Sequence, residues 1–288
     1  MPTPLQGRRG LAVLVVGLVT LVVGLATETS PTSVGTATST ATATATDPAL
    51  PHQAWPYPTP APARWTALAL GDSVATGAGC DCAPYPDRYA SLVTARTGVP
   101  TTLVNRARDG LTSVALRDSV ENDPDLAVEL GKSDIVTVTV GANDLGPDVD
   151  RWRDGSCGDC FTESALKVGR DVSAVLDRVT ALRAGRATEV LVTTYWNVFQ
   201  DGRASDDADD LAFRAMSRQV TGQVNDALCG AARAHGAACI KLDSAFQQAV
   251  GSDPTDLLAD DADHPSPSGH SVIAAALAEH GWDELGRG

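Results

Sequence analysis

Aromatic side chains are scarce in this chain. Phe, Trp and Tyr together make up 5% of its 288 residues, a content in which we identify no platform of rings on which a sugar would stack. Basic charge is also short: 22 Lys and Arg stand against 36 Asp and Glu, for a formal net charge of -14. A surface this acidic repels phosphate backbones, which excludes nucleic acid as a partner. The charge-free stretch from Leu11 to Ala26 falls short of the ~20 apolar residues of a membrane-spanning helix. Several cofactor and metal signatures are missing too. Gly77-Ala78-Gly79 lacks the third glycine of a dinucleotide fingerprint, no Walker lysine follows it, and there is no His-Glu-x-x-His. Gly71-Asp72-Ser73-Val74-Ala75 has alanine where the Gly-x-Ser-x-Gly elbow needs its second glycine. Neither a cofactor nor a metal is expected.

What is present starts with an address. Arg8-Arg9 precedes the charge-free run, and Gly24-Leu25-Ala26 offers small residues to a signal peptidase. Residues 1–26 read as a signal peptide or, uncleaved, as an N-terminal anchor, and the arginine pair lacks the surrounding pattern of the twin-arginine route. Residues 27–63 are rich in Thr, Ala and Pro, with strict Thr-Ala alternation at 40–46. Such a segment buries too little apolar surface to offset chain entropy. It reads as a disordered spacer, open to O-glycosylation, that holds a C-terminal domain away from a membrane or wall. The expected location is therefore extracellular, free or tethered.

Cysteine usage agrees with export. Cys80, Cys82, Cys157, Cys160, Cys229 and Cys239 form an even set, which behind a signal peptide favours disulfides. Cys229 and Cys239 bracket the end of a helical pattern and the start of the last strand pattern, and are expected to pair. Cys157 with Cys160 and Cys80 with Cys82 are the local pairings left over, and cross-pairing of those two loops is equally open. A zinc site shared by the four is disfavoured by the tight Cys-x-Cys spacing and by an oxidising compartment.

Residues 64–288 read as one domain in which strand and helix patterns alternate. Ala67–Leu70, Thr101–Asn105, Ile135–Val140, Val190–Thr194 and Ala238–Leu242 are the five strand candidates, the third being β-branched almost throughout. Between them run helical patterns. One carries Tyr89, Leu92 and Val93, a second reaches about Leu130, and a third places Val172, Val175, Leu176, Val179 and Leu182 on one face. A fourth carries Met216, Val220, Val224 and Leu228. The acidic run Asp201–Asp210 suits the N-terminus of that fourth helix and reads as capping, not as a metal site. A last helix runs through Leu277. Five strand–helix alternations predict an α/β fold: three layers, with a five-stranded, mainly parallel sheet between helices.

Ligands of open α/β sheets bind beyond the carboxyl ends of the strands, and chemistry-bearing residues collect there. Ser73 follows the first strand, Gly110 follows the second, Asn143 follows the third and His264 lies after the fifth. A serine nucleophile needs a base, and the base needs an orienting acid. Asp261, three residues before His264, is close enough to hold its ring. The Ser73 and Gly110 N–H groups and the Asn143 amide are candidate donors to an oxyanion. These blocks resemble those of the SGNH, or GDSL-type, hydrolases. Gly71-Asp72-Ser73 matches the first block, though followed by Val where the family has Leu. Asn105-Arg106-Ala107-Arg108-Asp109-Gly110 is similar to the second, Gly141-Ala142-Asn143-Asp144 matches the third, and Asp261-Ala262-Asp263-His264 fits Asp-x-x-His.

The resemblance implies a flavodoxin-like α/β/α fold and a serine esterase of lipase type. Ser73, His264 and Asp261 would be catalytic, and Ser73, Gly110 and Asn143 would form the oxyanion hole. Substrates would be small-molecule, lipid or carbohydrate esters, with the segment 143–160 shaping the acyl pocket. We expect a monomer, with association to the cell envelope through its leader. Two alternatives stand beside this reading: a non-catalytic cell-surface binding domain on the same fold, and a carbohydrate O-acetylesterase.

Overall fold

A computed structural model describes residues 64–199 and 208–287. The expected signal segment, the spacer and residues 201–207 of the acidic run lie outside them. The chain begins with β1 (Trp65–Gly71), the single-turn α1 (Ser73–Thr76), α2 (Tyr85–Thr97) and β2 (Thr101–Asn105). There follow α3 (Ser113–Asn122), α4 (Pro124–Lys132), β3 (Ile135–Thr139), α5 (Gly146–Arg153) and α6 (Cys160–Arg183). The last part comprises β4 (Glu189–Thr193), α7 (Ala208–Ala234), β5 (Ala238–Ile240), α8 (Leu242–Val250) and α9 (Pro267–His280).

The strands lie in the order β2-β1-β3-β4-β5, and every pairing is parallel. Parallel neighbours need long crossovers, which the helices supply. α9 packs against α2 and α8, while α6 packs against α3, α4 and α7. The sheet is thus covered on both faces, and its strands are apolar with little alternation, as that burial demands. Leu68 and Leu70 of β1 and Val136 and Val138 of β3 have no exposed surface. Each such side chain contributes about 1.5–3 kcal/mol by leaving water. The order reverses between β1 and β3, and a crevice opens beyond their carboxyl ends at such a switch point.

Sequence and structure differ in four places. The helical region ending near Leu130 is two helices, broken at Asp123-Pro124. Proline disfavours helical backbone in the residue before it, and Asp123 instead caps α4, accepting from the Asp125 and Leu126 N–H groups. The segment 143–160, for which no helical pattern was read, carries α5. The fifth strand stops at Ile240, because the Leu242 N–H donates to the Thr194 hydroxyl at 2.8 Å and α8 begins there. That helix was legible: Leu242, Ala245, Phe246 and Val250 have helical spacing. The sheet is wholly parallel, not mainly so.

The cysteines lie as three neighbouring pairs. Cys80–Cys82, Cys157–Cys160 and Cys229–Cys239 have Cα separations of 5.2, 5.1 and 5.1 Å, within the usual disulfide range. Among the described residues the first two pairs do not gather into one four-cysteine site.

Candidate active site

The end of β1 is set by a close approach. A Cβ on Gly71 would stand 2.4 Å from the Thr139 carbonyl oxygen, so only glycine lets β1 run out this close to β3. Asp72 N–H then donates to that carbonyl at 2.9 Å. Its side chain turns back to cap α1, accepting from the Val74 N–H at 3.0 Å. Ser73 therefore opens a helical turn at the switch point, its side chain only partly covered. Asp72 is 1% exposed and accepts a 2.5 Å hydrogen bond from the Tyr195 hydroxyl. Asn225 fixes Tyr195 in turn, bonding its backbone N–H at 3.0 Å and its carbonyl at 2.9 Å. Burial pushes the Asp72 carboxyl up to about 6, although the bonds from Tyr195 and Val74 oppose the shift. Burial and the neighbouring Asp72 charge hold the Tyr195 phenol well above its usual value. Buried beside them, the Tyr85 hydroxyl, Thr139 and Thr193 form a chain of 2.7 Å hydrogen bonds across the sheet.

Asn143 follows β3. Its amide donates to the Leu111 carbonyl at 3.1 Å, which leaves its second N–H for another acceptor. The next residue anchors the same segment. Asp144 accepts from the Ser113 N–H at 2.8 Å and from the Ser113 hydroxyl at 2.6 Å. Ser113 also lies 3.0 Å from Asp171, which Lys167 and Arg117 neutralise at 2.7 and 2.5 Å. Burial raises the Asp144 carboxyl against the pull of Ser113. Gly110 sits exposed in the turn before Leu111, where φ of +70° suits glycine. It adjoins the Asn143 anchor but does not line the cleft into which Ser73 opens.

His264 arrives on a loop, and local hydrogen bonds shape that loop. Leu258 bridges Pro265, and the Ala259 N–H donates to the His264 carbonyl at 2.8 Å. Asp261 accepts from the backbone N–H groups of Asp263 and His264 at 3.1 and 3.0 Å, and its other oxygen lies 2.8 Å from His264 Nδ1. Partial burial raises the Asp261 carboxyl, but these bonds outweigh it and hold it below the usual carboxylate range. A carboxylate facing Nδ1 fixes the proton there and leaves the Nε2 lone pair free to accept another. Gly79 packs against this pair. A Cβ there would stand 2.4 Å from Asp261 Oδ2 and 3.0 Å from His264 Cβ.

Ser73, Asn143, Asp261 and His264 line one cleft of about 550 Å³. A hydroxyl, an imidazole oriented by a carboxylate and an amide N–H are the groups that acyl transfer requires. The rest of the wall comes from Val149 and Arg153 of α5, from Tyr195–Phe199 and from Phe213 of α7. The segment 143–160 thus contributes, as expected, but most of the wall comes from elsewhere. The five residues from Tyr195 begin one residue beyond the end of β4, so the strand-end rule could have found them; nothing in the sequence pointed to Phe213. Aromatic residues are few yet concentrated here, with Tyr195, Trp196, Phe199 and Phe213 all in the lining. The low aromatic content, in which no sugar-stacking platform was identified, did not foretell this: composition counts side chains without locating them.

One His/Cys cluster outside the cleft, Cys80, Cys82 and His270, is compact enough to hold an ion. Its two cysteines are bonded to each other, so they offer no thiolate to a metal.

Comparison with known proteins bears on this geometry. The family model of the GDSL-like lipase/acylhydrolases matches residues 69–272. No curated protein matches the chain. Among solved structures, the lipase Lip_vut3 from a goat rumen metagenome superposes with a TM-score of 0.65 at 19% identity, covering 77% of this chain and 99% of its own. Phospholipase A1 from Streptomyces albidoflavus gives 0.56 at 18% identity, with 75% and 99% covered. A variant of Axe2, an acetyl-xylooligosaccharide esterase from Geobacillus stearothermophilus, gives 0.54 at 18% identity, with 77% and 94% covered. At such identities these likenesses concern the fold.

Proposed function

Because the chain belongs to the GDSL-like lipase/acylhydrolase family and is an ester hydrolase, we propose that it cleaves carboxylic esters through an acyl-enzyme on Ser73. His264 Nε2 takes the Ser73 proton as the hydroxyl oxygen attacks the ester carbonyl, and Asp261 holds the imidazolium that forms. The carbonyl oxygen becomes an oxyanion bound by the Ser73 N–H and the Asn143 amide, both at the cleft; the third donor expected, the Gly110 N–H, lies outside its lining. Each such donor is worth about 3–4 kcal/mol in the transition state. Collapse expels the alcohol, which leaves with the proton from His264. Water, deprotonated by the same imidazole, then releases the acid and restores the serine.

The observation that carries this reading is the 2.8 Å Asp261–His264 pair facing the cleft that Ser73 opens. Val149, Val198 and Phe199 give the cleft an apolar wall, which favours an ester with an alkyl acyl chain. The aromatic residues of the same wall keep a carbohydrate O-acetylesterase as the second reading. Export belongs to the proposal on the strength of residues 1–26 and of three cysteine pairs suited to an oxidising compartment.

The test is covalent. A fluorophosphonate probe should label the protein at Ser73, located by peptide mass mapping, and Ser73→Ala should abolish both labelling and turnover of p-nitrophenyl esters. Labelling at another residue, or near-normal turnover by Ser73→Ala, overturns the proposal. An acyl series from acetyl to palmitoyl separates the two readings, since a carbohydrate O-acetylesterase should fall off beyond acetyl.

A further inference from the structure

The lining of the cleft carries an uneven charge. Asp72, Asp261 and Asp263 all face it, and against them stands a single Lys or Arg among the described lining residues, Arg153. In a chain of net charge -14, that position is where a negative group on a ligand would be tolerated.

Arg153 is held by a ring system more than by an acid. Its guanidinium carbon lies 5.6 Å above the centroid of the Phe213 ring. That ring is met edge-on by Trp152 at 5.9 Å and at a tilt by Phe199 at 6.3 Å. A guanidinium attracted to a ring face in this way uses no N–H donor in the contact. Among the described residues the acid within its reach is Asp150 at 3.6 Å, itself 84% exposed, and a pair so long and so wet contributes little. Arg153, its side chain 61% exposed, therefore offers a fork of donors whose geometry suits a carboxylate or a phosphate.

We propose that Arg153 is a specificity-determining residue that binds an oxyanion carried by the ester substrate, so that the enzyme prefers anionic esters to neutral ones of the same shape. This rests on the hydrolase reading. The oxyanion takes no part in the bond changes, and its contribution is binding and orientation. A carboxylate on the acyl chain and a phosphate on the alcohol share this chemistry, and two pairs of substrates distinguish them.

The carboxylate arm compares mono-p-nitrophenyl glutarate with p-nitrophenyl pentanoate, which has the same number of acyl carbons. The phosphate arm compares dioctanoyl phosphatidylglycerol with dioctanoylglycerol. In at least one arm the wild-type enzyme should have the larger kcat/KM for the anionic member. Arg153→Leu should lower the anionic-to-neutral ratio about tenfold, mainly through KM. Arg153→Lys should restore only part of it, since ammonium neither forks nor stacks as guanidinium does. Added salt should erode the wild-type ratio. If leucine disturbs the fold, as read by thermal unfolding, Arg153→Gln provides the same comparison with a polar side chain in its place. Equal treatment of anionic and neutral members in both arms, or a ratio indifferent to Arg153, overturns the inference while leaving the hydrolase reading intact. Failure of the wild-type enzyme to turn over any of the four esters overturns the hydrolase reading itself.

Discussion

Ser73 and His264 reach the same cleft from opposite kinds of structure. Ser73 comes off the centre of the sheet: the residue before it is buried, caps α1, is bonded by Tyr195 and follows Gly71, which lies close against β3. His264 comes off a surface loop, and its partner Asp261 keeps a side chain 40% exposed. The first position is fixed by packing, which moves only if the core moves. The second is fixed by a few hydrogen bonds within a short loop and by a contact from outside it, Gly79. Damage on the Ser73 side should therefore register as lost stability. Damage on the His264 side should register as lost turnover in a protein that still folds.

The largest effect should come from His264→Ala, which removes the base. A loss on the order of 10⁴-fold in kcat is expected, with little change in thermal stability; a loss below tenfold would remove His264 from the mechanism. Next comes Asn143→Ala, which leaves nucleophile and base in place and deletes one oxyanion donor. Its loss should be about 10²–10³-fold and fall in kcat. It also cuts the tie to Leu111, so a modest fall in stability should accompany it, unlike at His264.

Gly79→Ala tests the contact between the two regions. The added methyl collides with Asp261 Oδ2, at a φ of +73° that alanine resists. A displaced Asp261–His264 pair should cost about 10–10²-fold in kcat. Gly98→Ala is the control, because it has nearly the same φ, +72°, but nothing within 4 Å of the added methyl. It should lose a comparable increment of stability and keep its activity. Equal losses of activity in both would mean that Gly79 matters only for its backbone.

The smallest effect is a pH dependence of stability with two buried sources of opposite sign. Burial raises Asp72 to about 6, so its contribution is full below about 4 and is lost as pH rises through 6. His270, with no exposed surface, is lowered to about 4 by burial, then by Arg88 and His264. Its contribution is full above about 6.5 and is lost as pH falls through 4. Each amounts to about 2–3 kcal/mol across that window, so the two largely offset each other in the wild type. Denaturant unfolding between pH 7 and 4 should show Asp72→Asn losing stability on acidification more steeply than wild type, and His270→Gln less steeply. Parallel curves for all three proteins would show that neither group titrates there.

Much of the site was legible because it is local. Asp261 and His264 are three residues apart, and the bonds that join them, to a ring and to two backbone N–H groups, follow from that spacing alone. The strand that ends in Gly-Asp-Ser was legible because a parallel strand buried on both faces must be apolar, and because its end must turn. Phe213 was not legible. It enters the cleft from the second turn of α7, and which face of a helix meets which loop depends on how helices pack across the sheet. The split between α3 and α4 could have been read from Asp123-Pro124, and α8 from its own spacing.

The sequence by itself determined which residues stand at strand ends and in what order, since alternation, capping and turn chemistry act over a few positions. It also determined the Asp261–His264 pairing, for the same reason. Tertiary structure alone decided that aromatic residues few in number gather along one wall, and that Tyr195 bonds the carboxyl beside Ser73 from 123 residues away. It also decided that Arg153 rests on a ring contributed by a different helix. These depend on how a twisted sheet and its two layers of helices close around the switch point, and no pattern of neighbouring residues encodes that distance.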